Sequence, residues 1–363
     1  MKISCHNKDC NNIFEYNGNL SWTQCPICSS KIPLKTTSSE KNLEFQNLDN
    51  KKNTLSKKNK FRIWLIEHPN LNPYNFFENS RDYSSKAGNR VNPYSISRQI
   101  TQNIRTLPDF IFFGGTRSGV MTLTKYVQEH PNVQTVRNIH FFEYVYGNDI
   151  RWYKRHFPTK LYKKYYKMKY KQKLFVGEST GTYLFHNDVP KRIHEHIPNV
   201  KLIVMLRNPI KSCYSKYNHY RNEGLESSSF EDAIEMELRR ISILKKNNEL
   251  KNINPDFDNF VNYHYLRHGH YAEKLENWLA EFPREQILIL TNDEFNSDMD
   301  NTLKQTFEFI GLSNFNVKNK IAHNVGKYSS MKESTKDMLI DYFKPHNQKL
   351  YKLLGRDLNW EQI

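Results

Sequence analysis

The chain changes character along its length. From Pro108 onward, short continuous apolar runs alternate with amphipathic segments. Phe110–Phe113, Leu174–Val176, Lys201–Leu206 and Gln286–Leu290 read as strands buried on both faces. Helical periodicity covers Gly119–Glu129, closed by His130-Pro131, then Pro209–Asn222, and longer spans over 230–246, 269–281, 301–310 and 333–354. Continuous strands separated by helices predict a parallel sheet covered on both faces. Residues 36–60 are almost entirely polar and charged. They cannot bury enough surface to offset the entropy of ordering, so they read as a linker. Residues 61–105 carry scattered aromatics and prolines without a period and read as a connecting arm. The expected organisation is a small module over 1–35, a polar linker and connecting arm over 36–105, and an α/β domain over 106–363.

Four of the five cysteines lie in the first 28 residues, as Cys5-x4-Cys10 and Cys25-x2-Cys28. Two close pairs about fifteen residues apart suit a tetrahedral Zn²⁺ site, and the module resembles a zinc ribbon. Phe14, Tyr16 and Trp22 lie between the pairs and suit the apolar patch of a ribbon hairpin. His6 is an alternative ligand to Cys5, and two disulfides or unligated thiols are the competing readings. The N-terminus lacks the apolar core of a secretory signal, which weighs against disulfides and makes a cytoplasmic chain the default expectation. No segment is long and apolar enough to read as a transmembrane helix. Cys213, within a predicted helix, is expected to pack.

The chemistry concentrates at two strand-to-helix junctions. The first reads DFIFFGGTRSGVMTLTKYV, with Gly114-x4-Gly119 at P-loop spacing. Glycines let the backbone turn until its N–H groups converge on a phosphate, and the helix N-terminus adds its dipole. Arg117 and the hydroxyls of Thr116, Ser118 and Thr122 are further donors. Val120 and Met121 stand where a nucleoside triphosphatase needs Lys and Ser or Thr, which argues against a Mg²⁺-dependent NTPase. Alone, this pattern also fits an ordinary strand-to-helix turn. The second junction is KLIVMLRNPIKSCYSKYNHYRNEG. A buried strand ends at Arg207, Asn208-Pro209 opens a helix, and Ser215 follows two turns later. Arg207 and Ser215 are expected to converge on one phosphate. Ligands of such sheets bind beyond the carboxyl ends of the strands, where both junctions fall.

These segments resemble the sulfotransferases, and most of all the sulfotransferase domain of heparan sulfate N-deacetylase/N-sulfotransferase. The resemblance covers about residues 107–363. GGTRSGVMTL takes the place of the 5'-phosphosulfate loop and LRNPIKSCYSKYNHY that of the 3'-phosphate motif. GESTGTYLF, YLRHGHYAEKLENWLAEFPREQILIL and HNVGKYSSM with NQKLYKLLGRDLNW follow in the family's order. The resemblance implies a P-loop-like three-layer α/β fold, a central parallel sheet flanked by helices. It implies 3'-phosphoadenosine-5'-phosphosulfate (PAPS) as sulfuryl donor and 3'-phosphoadenosine-5'-phosphate (PAP) as product. It places the 5'-phosphosulfate on Gly114, Gly115, Thr116, Arg117, Ser118, Gly119, Val120, Met121 and Thr122, with Arg117 neutralising the leaving oxygen. Arg207 and Ser215 would take the 3'-phosphate. Gly326, Lys327 and Tyr328 match a C-terminal loop that closes on the nucleotide, with Lys327 as its cation.

This sequence departs from the family at two places. Val120-Met121 replaces Thr-Thr in the loop, removing two hydroxyl donors. In VRNIHFF, Asn138 stands where the family carries the glutamate that takes the acceptor proton. His140 is the nearest substitute base, with Glu143 as another; His140 also fits a packing or capping role beside the two phenylalanines. Glu178 either faces the acceptor or bonds loop backbone, the second being favoured.

Residues 151–173, RWYKRHFPTKLYKKYYKMKYKQK, interleave basic and aromatic side chains. They suit either recruitment of an anionic acceptor or a solvated helix whose aromatics pack inward; Trp152, Tyr153 and Phe157 are expected to pack. The formal charge of +16, from 54 basic and 38 acidic residues, favours anionic partners or reflects a Lys- and Asn-rich bias. The expected partner is a sulfate acceptor, with a glycan as the leading class. The alternatives are a nucleotide-binding relative that has lost catalysis and a zinc-ribbon nucleic-acid-binding protein. The last leaves the five ordered segments unexplained.

Overall fold

The computed structural model describes residues 96–246, 264–317 and 328–362, together with four short N-terminal strands. Cys5, Cys10, Cys25 and Cys28 and the polar linker lie outside the described residues. The chain divides into two compact units, Met1–Pro73 with Tyr220–His264, and Tyr74–His219 with Tyr265–Ile363.

In the first unit, β1 (Lys2–Ser4) pairs antiparallel with β2 (Ile13–Glu15), and β3 (Trp22–Gln24) with β4 (Lys31–Pro33). The unit also holds the helix Phe230–Lys246. Ser229 starts that helix, its Oγ accepting the Asp232 N–H at 3.1 Å.

The second unit is built on five parallel strands: β5 (Phe110–Gly114), β6 (Val133–Arg137), β7 (Phe175–Ser179), β8 (Lys201–Leu206) and β9 (Ile287–Thr291), in the order β6-β7-β5-β8-β9. The expected parallel sheet is present, as are the expected helices. These are α1 (Val120–Gln128), α4 (Pro209–Asn222), α5 (Phe230–Lys246), α6 (Tyr271–Glu281), α7 (Met299–Ile310) and α8 (Glu333–Leu354); the structure adds α2 (Lys160–Tyr170), for which a helix is one of two readings, and α3 (Val189–His196), which the periodicity does not predict.

Side chains alternate across each strand, so one strand feeds two cores. Ile111 and Phe113 join Leu202, Val204 and Leu206 under α6, where Trp278 stacks on Phe113 with ring centroids 4.0 Å apart. Phe110 and Phe112 join Ile203 and Met205 under α1 and α7, against Leu123, Val127 and Phe307. This is why the strands read as unbroken apolar runs. β6 escapes that reading because Val-Gln-Thr-Val-Arg is an edge strand that mixes buried Val133, Thr135 and Val136 with half-buried Gln134 and Arg137. β7 runs further than its apolar run suggests, because Gly177, Glu178 and Ser179 continue the pairing with β5 and β6.

Two local features aim the strand ends. Asn208, fully buried, caps α4: its Oδ1 accepts the Ile210 N–H at 2.9 Å while its amide donates to Trp360 O at 2.9 Å. Gly114 lies so close to β8 that a Cβ there would stand 2.0 Å from Met205 O. Cys213 is buried, in keeping with a packing role. Among the described residues, no helix is long and apolar enough to cross a membrane.

Replacing Gly114 with Ala should therefore force β5 from β8 and cost about 3 kcal/mol, at the upper end of overpacking penalties. A lowered midpoint in chemical denaturation measures it; an unchanged midpoint would contradict the close approach.

Candidate functional site

The candidate site forms where β5, β7, β8 and β9 end. The turn after β5 is held from three sides. Gly115 N–H donates to Met205 O at 2.9 Å, the Ser212 hydroxyl donates to Thr116 O at 2.5 Å, and Asn292 after β9 donates to Ser118 O at 2.9 Å. A side chain on Gly115 would meet the Tyr271 hydroxyl at 2.8 Å. Gly119 caps α1 at φ +97° and carries no side chain to bond its first turn. The first-turn N–H groups of a helix lack intrahelical acceptors, and with the dipole they favour an anion.

The structure brings Arg117, Arg207 and Ser215 together. Arg207 Nη1 donates to Arg117 O at 2.9 Å, and Arg117 Nε donates to Ser215 Oγ at 3.4 Å. Arg117 adopts φ +57°, a left-handed conformation that costs a non-glycine residue free energy. Burial, with the neighbouring Arg207 cation, lowers Arg117 from the ordinary arginine value, and Tyr328 acts in the opposite sense. Two guanidinium groups held together in a partly desolvated loop attract an anion. Arg207 Nε and Ser118 Oγ are buried without a hydrogen-bond partner among the described residues. Buried polar groups are normally satisfied, so these two point to a ligand's oxygens.

The other loop residues divide. Val120 and Thr122 are buried, and Met121 is half-buried. Val120 packs with Leu123 and Val127 in the core, so it contributes apolar contact and backbone rather than a side-chain donor. Gly326 and Lys327 lie outside the described residues. Tyr328 packs edge-on against Tyr214, with centroids 5.4 Å apart. Both line a cavity of about 240 Å³ with Arg207, Ile210, Lys211, Met331 and Lys336. Aromatic and aliphatic walls beside three cations suit a flat base and a phosphate.

Sequence reasoning missed several members. Lys216 is buried and its Nζ lies 3.2 Å from His268 Nδ1, which is also 2.7 Å from Thr116 Oγ1. His268 stacks on Phe185 at 4.1 Å. Ser212 and Lys216 were legible in principle: with Ser215 they fall at i, i+3 and i+4 on one face of α4. His268 and Asn292 come from distant loops and carry no local signal.

After β6, Asn138 and His140 both have positive φ, +55° and +59°. Asn138 N–H donates to Ser179 O at 2.8 Å, and Ser179 Oγ accepts from Thr124 of α1 at 3.0 Å. This loop is thereby tied to the helix that follows the phosphate turn. His140 Nδ1 pairs with the buried Glu143 carboxylate, whose other oxygen lies 3.1 Å from His186 Nε2. Thr182 donates to Glu143 Oε1 at 2.6 Å. Burial alone would raise the Glu143 carboxyl; the two imidazoles outweigh it and hold it at about 2. Glu143 is thus placed between two imidazoles, where its carboxylate can orient the His140 ring.

Two expectations are corrected. Glu178 neither faces an acceptor nor bonds backbone: it is fully buried and its carboxyl group is met by the hydroxyls of Tyr153, Thr180 and Tyr183. Burial raises its pKa. The basic stretch divides: Trp152 and Tyr153 stack on Phe141 of the loop after β6, at 6.1 and 4.8 Å between centroids, while its lysine-rich part lies elsewhere. Trp152, Tyr153 and Phe157 are buried as expected, but α2 is fixed at the amino end of the sheet. There Lys163 pairs with Asp109 at 2.7 Å, and Tyr166 OH donates to Pro131 O at 2.9 Å.

The family model for the sulfotransferase domain matches residues 107–352, more than half of the chain. The chain is 27% identical to the membrane-associated sulfotransferase kil1 of Dictyostelium discoideum, over 70% of this chain and 67% of that protein. It is 25% identical to heparan sulfate glucosamine 3-O-sulfotransferase 3A1 of Mus musculus, over 76% of this chain and 71% of that one. Among solved structures, a sulfotransferase from Alicyclobacillus acidocaldarius shares the fold, with a TM-score of 0.52 and 22% identity, covering 71% of this chain and 100% of that one.

Glu143 supplies a pH test. Its folded pKa lies below the ordinary carboxylate value of 4.5, so the stability it contributes is present above that pH and is lost as pH falls toward about 2. Glu143→Gln should flatten the fall in melting temperature across that window; an identical acid profile would remove the ion pair.

Proposed function

The chain belongs to the sulfotransferase family, and from that premise we propose that it moves the sulfuryl group of PAPS to a hydroxyl or amine of a carbohydrate. One observation carries the donor assignment: Arg117, Arg207 and Ser215 converge beside two buried polar atoms, Ser118 Oγ and Arg207 Nε, that have no partner among the described residues. The turn Gly114–Thr122 and the start of α1 hold the 5'-phosphosulfate. Arg207 and Ser215 take the 3'-phosphate, and the cavity under Tyr214 and Tyr328 takes the remainder of the nucleotide. The carbohydrate acceptor is supported by the relative named as a heparan sulfate glucosamine 3-O-sulfotransferase.

In the reaction so assigned, the acceptor oxygen or nitrogen forms a bond to sulfur as the bond from sulfur to the 5'-phosphate oxygen breaks. The work is positioning and charge stabilisation. Arg117 neutralises the departing oxygen. His140, oriented by Glu143, accepts the acceptor's proton in place of the side chain that Asn138 lacks. The second reading, a nucleotide-binding relative without turnover, rests on Asn138 and on Val120-Met121.

Zn²⁺ belongs to the first unit. Cys5 directly follows β1 and Cys10 precedes β2; Cys25 directly follows β3 and Cys28 precedes β4. In sequence, each pair falls between two strands that pair with one another, and that order supports two thiolate pairs on one metal. The role we assign the ion is structural.

PAP should raise the melting temperature of the full chain while ATP does not, and Arg207→Ala should abolish the rise. Loss of the PAP effect in the parent chain itself would end the donor assignment. His140→Ala should lower kcat with radiolabelled PAPS and heparan sulfate by about 10²–10⁴-fold. The PAP-induced shift should be retained; equal turnover would return the proton to another group. Metal analysis should find one zinc per chain, lost in Cys25→Ser.

A further inference from the structure

Helix α2 takes no part in the site assigned above, and its outer surface is unusual. The helix starts where Thr159 Oγ accepts the Tyr162 N–H at 3.1 Å. Its inner face is turned to the domain: Lys163 pairs with Asp109 and Tyr166 bonds Pro131 and Asn132, while the exposed Tyr170 packs on Tyr166 at 4.5 Å. At 100° per residue, these three positions lie within about 60° of one another. Leu161, Tyr165 and Met168 lie on the opposite side, also within about 60°. Leu161 is 67% exposed and Met168 59%, far more than such side chains normally show.

Charge surrounds this stripe. Lys160, Lys164, Lys167 and Lys171 are exposed along one flank, and Lys169 lies on the other beside Tyr165, its Nζ 5.7 Å from that ring. No Asp or Glu occurs between Ile150 and Gly177. An exposed apolar stripe with an aromatic member, bordered by lysines whose long stems can reach upward, has the chemistry of an interfacial helix. Anionic headgroups complement the lysines, and the acyl boundary accepts Leu161 and Met168.

We propose that the outer face of α2 docks the protein onto an anionic lipid surface. The position of the helix supports this over recruitment of a sulfated glycan. Asp109 and Asn132 precede β5 and β6, so α2 sits at the amino end of the sheet, whereas Gly114, Arg207 and His140 follow the carboxyl ends. A glycan held by α2 would be at the wrong end for transfer, and it would leave Leu161 and Met168 without use. A membrane on that side leaves the candidate site facing outward.

The test is flotation of the full chain with vesicles of phosphatidylcholine alone or with about a third phosphatidylserine. The parent chain should float only with phosphatidylserine. Leu161→Ser with Met168→Ser should weaken binding by on the order of tenfold or more, as should Lys164→Glu with Lys167→Glu. All four positions are exposed, so each variant should keep the parent's melting temperature and its stabilisation by PAP. Flotation with phosphatidylcholine alone, or flotation unchanged in both variants, would overturn the proposal. So would helix-dependent retention on immobilised heparin without vesicle binding, which would assign α2 to a glycan.

Discussion

The site depends on how closely β5 and β8 approach. Their parallel pairing runs from Phe110 with Lys201 to Gly114 with Met205, and only a residue without a Cβ fits at its last position. Because the register is parallel, both strands end at the same level. The glycine turn and Arg207, ninety residues apart in sequence, are thereby delivered side by side. β9 continues the same register and brings Asn292 to the carbonyl of Ser118. A slip of one residue would reverse the faces of β8 and move Arg207 away from the turn.

That geometry concentrates positive charge, although Lys211 is paired with Asp293 at 3.1 Å and Lys336 with Glu333 at 3.2 Å. Arg117 and Arg207 share a small volume, and Lys211 and Lys336 line the adjoining cavity. The strained backbone at Arg117 is the kind of cost that a binding loop sustains when its surroundings over-determine it. Across Ser179, the loop after β6 uses the opposite arrangement: a buried carboxylate, Glu143, flanked by two imidazoles. One side of the cleft is built to hold an anion and the other to hold an imidazole in place. That division is what transfer of a charged group to a protonated acceptor requires.

The two ends of the sheet are chemically distinct. The carboxyl end carries Arg117, Asn138 and His140 at positive φ and, among the described residues, the unpartnered buried donors Ser118 Oγ and Arg207 Nε. The amino end carries α2, secured by Asp109, whose carboxylate also accepts from the Val176 N–H at 2.8 Å and lies 3.3 Å from Lys173. The lysine-rich helix, close in sequence to the loop after β6, is thus directed to the far end of the sheet, while Trp152 and Tyr153 before it pack on that loop.

Much of this was written in local sequence. Continuous apolar runs specified β5 and β8, because strands buried on both faces admit little else. Gly114, Gly119, Arg207 and Ser215 were legible because strand-to-helix turns that hold phosphate need those residue types at that spacing. β6 was not legible, since an edge strand need not be apolar throughout. Nor was the role of Glu178, whose carboxyl meets three hydroxyls from Tyr153, Thr180 and Tyr183 only after the strands assemble. The sequence by itself determined the order of elements and the chemistry of the two junctions. The tertiary structure alone decided that Arg207 meets the carbonyl of Arg117, that Glu143 serves His140, and that α2 faces away, because each depends on parallel register between segments that carry no local record of one another.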